Sequence, residues 1–477
     1  MTALEHRLAG EEPVRVARAA LGGRSDAVWL VGGTLRDVLL GRRVADLDLA
    51  VDGDPAETAR AVARAAGGPA FPLSESFGAW RALDGQRRWM CDVSPLRGGA
   101  IEEDLLRRDF TVNAMAMPLE GGELRDPRGG RRDLDERVLR VLGPDAYAED
   151  PLRPLRLARL ATELGMAPDP ETEALTRAAA ERVRRASPER IWAELRRLVS
   201  APAVIEGLEL ASRLGLTAVV LPELEELRGV EQSHFHHLDV HGHTLEVLAQ
   251  AMYLEEDPEG VFGDLAGPLR ALLDQPLGDE LTRRQALRFA ALLHDIAKPA
   301  TRTVLGGGRV AFVGHDSVGA ELVSAILRRL RAGERVRSFV AGVTRHHLRL
   351  GFLVRERPLS RRAVYAYLSA CEPVEVEVTV LTCADRLATR GKNAEGAIGA
   401  HLELARELLA EGLEWRAKGP PAAPIRGDEL ARALDLEPGP ELGALLARLR
   451  EARFAGEVAT APEAVELARR LRENGAS

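Results

Sequence analysis

Lysine is nearly absent from this chain: of 65 basic residues only Lys298, Lys392 and Lys418 are lysines. Arginine richness is therefore a compositional habit here and no evidence of RNA binding by itself. Against 73 acidic residues the net charge is -8, which excludes a global pull toward a polyanion, so any nucleic-acid surface must be a local patch. Three cysteines, Cys91, Cys371 and Cys383, are too few and too scattered for a disulfide framework or a thiolate metal site. No apolar run approaches the roughly 18 residues a membrane helix needs. The start, "MTALEHRLAGEEPVRVARAA", has acids where a signal peptide needs an apolar core. These absences predict a cytoplasmic chain with no membrane partner. At 477 residues, 45% hydrophobic and 29% charged, it is long enough for three or four domains with proper cores.

The pattern then divides. From 1 to 145, short β-like runs ("AVWLVGG", "ADLDLAV", "RRWMCDV", "VNAMAMPL") alternate with helical segments, which predicts an α+β head with a small mixed sheet. After "EDPLRPLRLARLATELG" strand signals nearly vanish, and amphipathic helices split by Pro/Gly punctuation predict an all-α body. A proline-rich hinge at Pro420 to Pro424 sets off a last helical unit.

In "VGGTLRDVLLGRRVADLDLAV", Val31 to Val51, Gly32 and Gly33 follow an apolar strand run and precede helical spacing that ends at Gly41. Two residues without Cβ at a helix start allow phosphate to approach the main chain. In "ADLDLAV" the period is two, so Leu47, Leu49 and Val51 point one way and Asp46 and Asp48 the other. Two carboxylates on one strand face repel unless a cation lies between them, and magnesium held with substrate phosphates answers that need. A solvated strand edge fits the same residues.

Further on, "EEDLLRRDFTVNAMAM" carries Arg107, Arg108 and Asp109 into a strand-like run, and "DPRGGRRDL" is a glycine-rich turn with a basic tail. "EDPLRPLRLAR" opens a helix with Glu149 and Asp150, then sets Arg153, Arg156 and Arg159 at three-residue steps, along one stripe. That stripe suits phosphates or a base edge; it also suits acids complementing the helix dipole with salt bridges along the helix.

Together, "GGTLRDVLLG…DLDLA", "RRDFTVNAMA", "DPRGGRRDL", "EDPLRPLRLAR" and "SPERIWAELRRLV" resemble the ordered motifs of bacterial class II tRNA nucleotidyltransferases and their poly(A) polymerase relatives. The resemblance covers the first 200 residues, and "GDELARALDLEPGPELGALLARLREARFAGEVATAPEA" is similar to the family's C-terminal tail. It implies that Asp46 and Asp48 hold Mg²⁺ and activate an RNA 3′-hydroxyl for attack on ATP or CTP. It implies that Gly32, Gly33 and Arg36 cradle the triphosphate and that Arg108 and Asp109 reach the ribose. Asp150 and Arg153 would read the base edge, Glu149 would orient the arginine, and Arg156 would add charge toward the phosphates. Where many relatives carry a glutamate before a Thr-Thr-Phe-Arg-like run, this chain has "CDVSPLR", so Asp92 is a possible third carboxylate or a strand-end aspartate.

Nine of the eleven histidines fall between His234 and His347. The series His243, His294-Asp295, His315, His346-His347 and Asp385 resembles the His-Asp metal-dependent phosphohydrolase superfamily. That resemblance implies a first metal on His243, His294, Asp295 and Asp385, and a second completed by His315 and His346 or His347. Imidazole and carboxylate ligands suit manganese, nickel, zinc or iron. Lys298 would steady a substrate phosphate. A helical RNA scaffold with residual histidines is the plainer alternative, and His234, His236, His237 and His241 receive no role.

The expected organisation is a catalytic head over 1–145, neck helices for base and primer recognition over 146–215, an HD-type helical domain over 216–395 and a tRNA-binding tail over 396–477. The expected function is template-independent addition of C and/or A to tRNA 3′ ends, with tRNA and ATP or CTP as partners and a metal-dependent phosphohydrolase alongside. A poly(A) polymerase, a hydrolase with a vestigial head, and a non-catalytic RNA-binding protein are the competing readings.

Overall fold

The computed structural model describes residues 2–24, 27–74, 78–232, 238–389 and 394–475. His234, His236, His237 and Lys392 lie outside the described residues. The chain forms two compact units, Met1–Val220 and Leu221–Ser477. The division between the units falls at Leu221, whereas the expected helical domain was set to begin at residue 216.

The first unit is built on a six-stranded mixed sheet: β1 (Val28–Val31), β2 (Asp46–Val51), β3 (Ala70–Ser74), β4 (Ala79–Leu83), β5 (Met90–Pro95) and β6 (Ala116–Pro118), in the order β3-β4-β5-β2-β1-β6. Only β2 and β5 pair in parallel, with Asp46 opposite Met90 and Asp48 opposite Asp92. The sequence foretold β1, β2, β5 and β6 but not β3 or β4. β3 keeps Phe71 and Leu73 exposed and β4 is half-buried along most of its length, so burial leaves no clean alternation in either. In β2, Leu47, Leu49 and Val51 are buried, as the period of two requires.

Two helices carry the basic side of this unit. Arg153–Leu164 begins with a proline at its second residue and stops at Gly165, whose φ of 62° suits a residue without Cβ. Pro188–Ser200 is capped by Ser187, whose hydroxyl accepts from the Arg190 N–H; it packs against the first helix and buries Ile191, Trp192, Leu195 and Leu198.

The second unit is helical. Asp239 caps Val240–Glu256 by accepting from the Gly242 N–H at 2.7 Å. A capping box of Thr282 and Gln285 starts Arg283–Leu293. His315–Arg329, Glu334–His346, Arg361–Cys371, Glu375–Ala388 and Ala394–Lys418 complete the central bundle, and Val240–Glu256 packs on Arg283–Leu293 and Glu375–Ala388. Short hairpins interrupt it, notably Arg302–Val304 paired with Val310–Phe312. The last helices, Gly427–Leu434, Pro440–Phe454 and Ala461–Gly475, enclose a separate small core around Leu430, Leu445 and Leu449.

Candidate functional sites

The first site is a cleft of about 530 Å³ over one face of the head sheet. Register in β2 and β5 sets Asp46, Asp48 and Asp92 on its lining. Asp92, open at the level of sequence, is drawn in by the parallel pairing, which places it directly beside Asp48 and which a linear reading cannot see. Arg81 on β4 grips Asp92 through two hydrogen bonds of 2.7 and 2.8 Å. Burial, and secondarily Asp92, pushes the Asp48 carboxyl up to about 6. Burial likewise raises Asp46, opposed by Arg197. Acids gathered this closely favour a cation in their midst.

Asp48 is locked from both sides. Its Oδ2 accepts the Gly33 N–H at 2.9 Å, and its own N–H donates to Thr34 Oγ1 at 2.7 Å. Gly32 adopts φ 59°, and a Cβ there would meet Arg108 Nη1 at 3.0 Å and Asp48 Oδ2 at 3.2 Å. The glycine pair is thus required by close approach of charged side chains as well as by backbone conformation. Arg36 donates to Asn113 Oδ1 at 2.7 Å and pairs with Asp37. Arg108 is aligned by Asp104 at 2.7 and 2.9 Å.

The arginine stripe meets the same cleft: Arg153, Arg156 and Arg159 all line it. Arg156 donates to Asp109 Oδ2 at 3.1 Å and to Glu194 at 3.4 Å, and Arg159 also pairs with Glu194. Burial alone would raise the Asp109 carboxyl, but Arg156, Arg153 and hydrogen bonds from Asn113 and the Phe110 N–H hold it far below its usual range. Arg153 donates to the carbonyls of Arg107, Arg108 and Ala146, with Glu149 at 3.8 Å. Asp150 differs from the rest. It accepts from Arg190 at 2.7 Å and from the Leu152 N–H at 3.1 Å, and it is not among the residues lining the cleft. Glu194 and Arg197 were not foreseen as site residues, although both lie within the quoted "SPERIWAELRRLV" motif.

The second site lies in the helical unit, in a pocket of about 540 Å³. His243 sits in the first turn of its helix, His294 and Asp295 follow the end of Arg283–Leu293, and His315 opens the next helix. His347 caps Glu334–His346, and Asp385 lies near the end of Glu375–Ala388. Asp295 is the hub. His294, His315, His347 and His243 bring Nε2 within 3.2, 3.3, 3.9 and 3.7 Å of its carboxylate. His243 Nε2 also lies 3.0 Å from Asp385 Oδ1, and Lys298 Nζ lies 2.6 Å from Asp295.

Three of these rings share one device. Nδ1 of His294, His315 and His347 bonds the carbonyl three residues earlier, of Ala291, Phe312 and Thr344, at 2.8, 2.6 and 2.6 Å. Held this way, Nδ1 carries the proton and Nε2 presents its lone pair inward, as metal ligation requires. His243, His294 and Asp295 form one group able to hold a metal ion, and Asp295, His315 and His347 another. The donor set therefore fits two borderline cations sharing a carboxylate.

His346, expected among the ligands, requires correction. It is half-buried and accepts from Arg349 Nε at 3.0 Å, while the fully buried His347 joins the cluster. Successive helical residues diverge by about 100°, so only one of the pair can face inward. His241, left without a role, is buried in the first turn of the same helix as His243 and belongs to neither metal-binding group.

Comparison with known families finds matches in three segments: a poly A polymerase head domain over residues 28–140, a probable RNA and SrmB-binding site of polymerase A over 165–227, and an HD domain over 240–390. An A-adding tRNA nucleotidyltransferase of Deinococcus radiodurans is 38% identical, covering 93% of this chain and 95% of its own. A CC-adding tRNA nucleotidyltransferase of Thermus thermophilus is 37% identical over 91% of each chain. A multifunctional CCA protein of Xanthomonas campestris is 32% identical, covering 86% of this chain and 99% of its own. Among solved structures, a Thermotoga maritima CCA-adding enzyme complexed with tRNA matches at TM-score 0.60 and 21% identity, over 98% and 97% of the two chains, which shows a shared fold.

Proposed function

The chain belongs to the tRNA nucleotidyltransferase family that includes A-adding, CC-adding and CCA-adding enzymes, and from that premise we propose that the head cleft transfers C and/or A from CTP and ATP to tRNA 3′ ends. The observation that carries this reading is the row of Asp46, Asp48 and Asp92 on one sheet face, opposite the stripe of Arg153, Arg156 and Arg159. An oxygen-only donor set of closely spaced, mutually repelling acids fits Mg²⁺. The bound metal supplies activation of the attacking hydroxyl and charge neutralisation on the phosphates.

The rest is done by the chain's own residues. Gly32 and Gly33 leave room for the triphosphate to approach the backbone, with Arg36 and Arg108 held ready by Asp37, Asn113 and Asp104. The primer 3′-oxygen forms a bond to the α-phosphorus in line with the breaking bond, and pyrophosphate leaves. Asp109 stays ionised beside Arg156 and offers acceptors for ribose hydroxyls. Arg153 and Asp150 are the donor and acceptor nearest to hand for a base edge, at the start of the arginine helix. In this structure both are engaged within the protein, so base reading requires exchange of those bonds for the nucleotide.

A second activity belongs to the helical unit. Its imidazole and carboxylate cluster fits a transition metal such as manganese, nickel, zinc or iron, which supplies an activated water for hydrolysis of a phosphate ester. Lys298, fixed between Asp295 and Gln232 at 2.6 Å each, is placed to meet a phosphoryl oxygen. A poly(A) polymerase is not favoured, since the relatives matched along the chain act on tRNA by name.

Nucleotide choice is decided by single-turnover extension of tRNA transcripts ending at the discriminator base, at C and at CC, with labelled CTP or ATP and Mg²⁺. Growth of the first substrate to CCA marks the full reaction, and labelling of CC-ended tRNA alone, or a stop after two cytidines, marks a specialist. No incorporation on any substrate rejects the transferase reading.

A further inference from the structure

Two phosphate-bearing substrates meet at Asp46 and Asp48, and in-line displacement brings the attacking oxygen in from the side opposite the leaving pyrophosphate. The triphosphate cradle lies against Asp48. The Gly33 N–H donates to its Oδ2 at 2.9 Å, and Arg108 Nη1 stands 3.0 Å from the place a Gly32 Cβ would take. The RNA strand therefore needs phosphate contacts of its own on the Asp46 side. A groove of about 320 Å³ adjoins the cleft there. Arg36, Asp37 and Arg197 line both cavities, and Arg197 is the cation that most opposes the upward shift of the Asp46 carboxyl. Arg42, Glu163 and Ser200 carry the groove onward from the cleft.

The groove is organised around Glu163. Its carboxylate accepts from Arg197 Nε at 2.7 Å and Nη2 at 3.0 Å, and from the buried Arg159 at 2.5 Å; its carbonyl accepts from Arg42 Nη2 at 3.0 Å. Arg197 thus turns one edge of its fork to Glu163 and keeps Nη1 without a hydrogen bond among the described residues. Arg42 is exposed and commits only Nη2. The Arg197–Glu163 pair is half in solvent, so it adds little to stability and its main effect is to fix the guanidinium. A guanidinium held by a carboxylate along one edge, with spare N–H donors along the other, meets an anionic oxygen without rearranging.

We propose that this groove seats the last phosphodiester of the RNA strand, with Arg197 and Arg42 donating to its non-bridging oxygens and Glu163 holding both guanidiniums in place. The inference rests on the transferase reading of the head cleft and adds to it the path of the strand and three residues that position its attacking end.

The test uses the full chain with Mg²⁺, the tRNA transcript that the wild type extends, and its nucleotide. Arg197→Ala should raise KM for tRNA about 10-fold, the value of a charge-assisted hydrogen bond, and leave KM for the nucleotide within about 2-fold. Arg197→Lys, which keeps the charge and loses the fork, should recover part of that loss. Arg42→Ala, at an exposed loop position, should raise the same KM about 3-fold. The deciding measurement replaces the last phosphodiester of the tRNA with an uncharged methylphosphonate. The wild type should then lose about 10-fold in KM for tRNA and Arg197→Ala should lose nothing further, because partners in one contact are not additive. Additive losses, or a rise in the nucleotide KM alone, overturn the inference and leave the transferase reading standing. Weaker inhibition by pyrophosphate in Arg197→Ala, with KM for tRNA unchanged, also overturns it and gives the groove to the leaving group. A wild type that extends no tRNA overturns the transferase reading instead. Binding titrations of the two RNAs then decide the inference: a preference for the phosphodiester that is lost in Arg197→Ala supports it, and an equal preference in both proteins overturns it.

Discussion

The cleft of the first unit takes its acids from neighbouring strands, whereas the pocket of the second takes its ligands from the ends of helices. Strand register places Asp46 and Asp48 two residues apart on one face and brings Asp92 alongside from a parallel neighbour. All three offer oxygen, and arginines surround them. In the helical pocket, four rings at helix ends converge on Asp295, three of them aimed by the carbonyl three residues earlier. The contrast is between oxygen donors with arginines in one site and nitrogen donors around a shared carboxylate in the other. Hard magnesium suits the first and borderline metals suit the second.

The largest effect should come from breaking one site while sparing the other. Asp48→Asn should lower single-turnover nucleotide addition by at least ~10³-fold, because it removes a carboxylate at the point of charge development. Hydrolysis of p-nitrophenyl phosphate by the same protein should persist. Addition that survives in Asp48→Asn would remove the head cleft as the transferase site.

The reciprocal change is Asp295→Ala, which strips the hub from four histidines at once. Metal content by mass spectrometry after dialysis should fall below one ion per chain, and Mn²⁺-dependent hydrolysis should drop roughly 10²-fold or more. Nucleotide addition should be retained. Loss of both activities in this variant would break the division into two independent sites.

A third change sharpens what supports the head. Glu194 is a single buried carboxylate shared by Arg156 and Arg159. Glu194→Gln should cost about 3 kcal/mol, as removal of one partner from a buried ion pair does. The melting temperature of the first unit should fall by roughly 10 °C. Because Arg156 also holds Asp109, kcat/KM for the nucleotide should drop about 10-fold through loss of orientation. An unchanged kcat/KM would leave Glu194 a purely structural residue.

Much of this was legible in the sequence, and what was not has a physical cause in each case. The alternation of "DLDLAV" carried the face of Asp46 and Asp48, and the three-residue steps of Arg153, Arg156 and Arg159 carried their stripe into the cleft. Asp92 depended on which strand pairs with β2, a long-range fact that no local pattern holds. Strands β3 and β4 escaped because their side chains are half in solvent.

The smallest effect is expected where the sequence gives the least purchase, at the adjacent pair His346 and His347. The two are chemically identical and share the end of one helix, so neither composition nor spacing tells them apart. Their surroundings do. His347 is 1% exposed, its Nδ1 is fixed by Thr344 O, and its Nε2 lies 3.2 Å from that of His315. His346, half-buried, accepts instead from Arg349. His347→Ala should remove the second ion and cut hydrolysis roughly 10-fold or more, with a slope against added Mn²⁺ that no longer shows two binding steps. His346→Ala should leave metal stoichiometry unchanged and shift stability by no more than about 0.5 kcal/mol, as surface substitutions do. The reverse outcome would mean that the helix end rotates by one residue when metal binds, and that the inward-facing ring is selected by the ion and not by the Thr344 carbonyl.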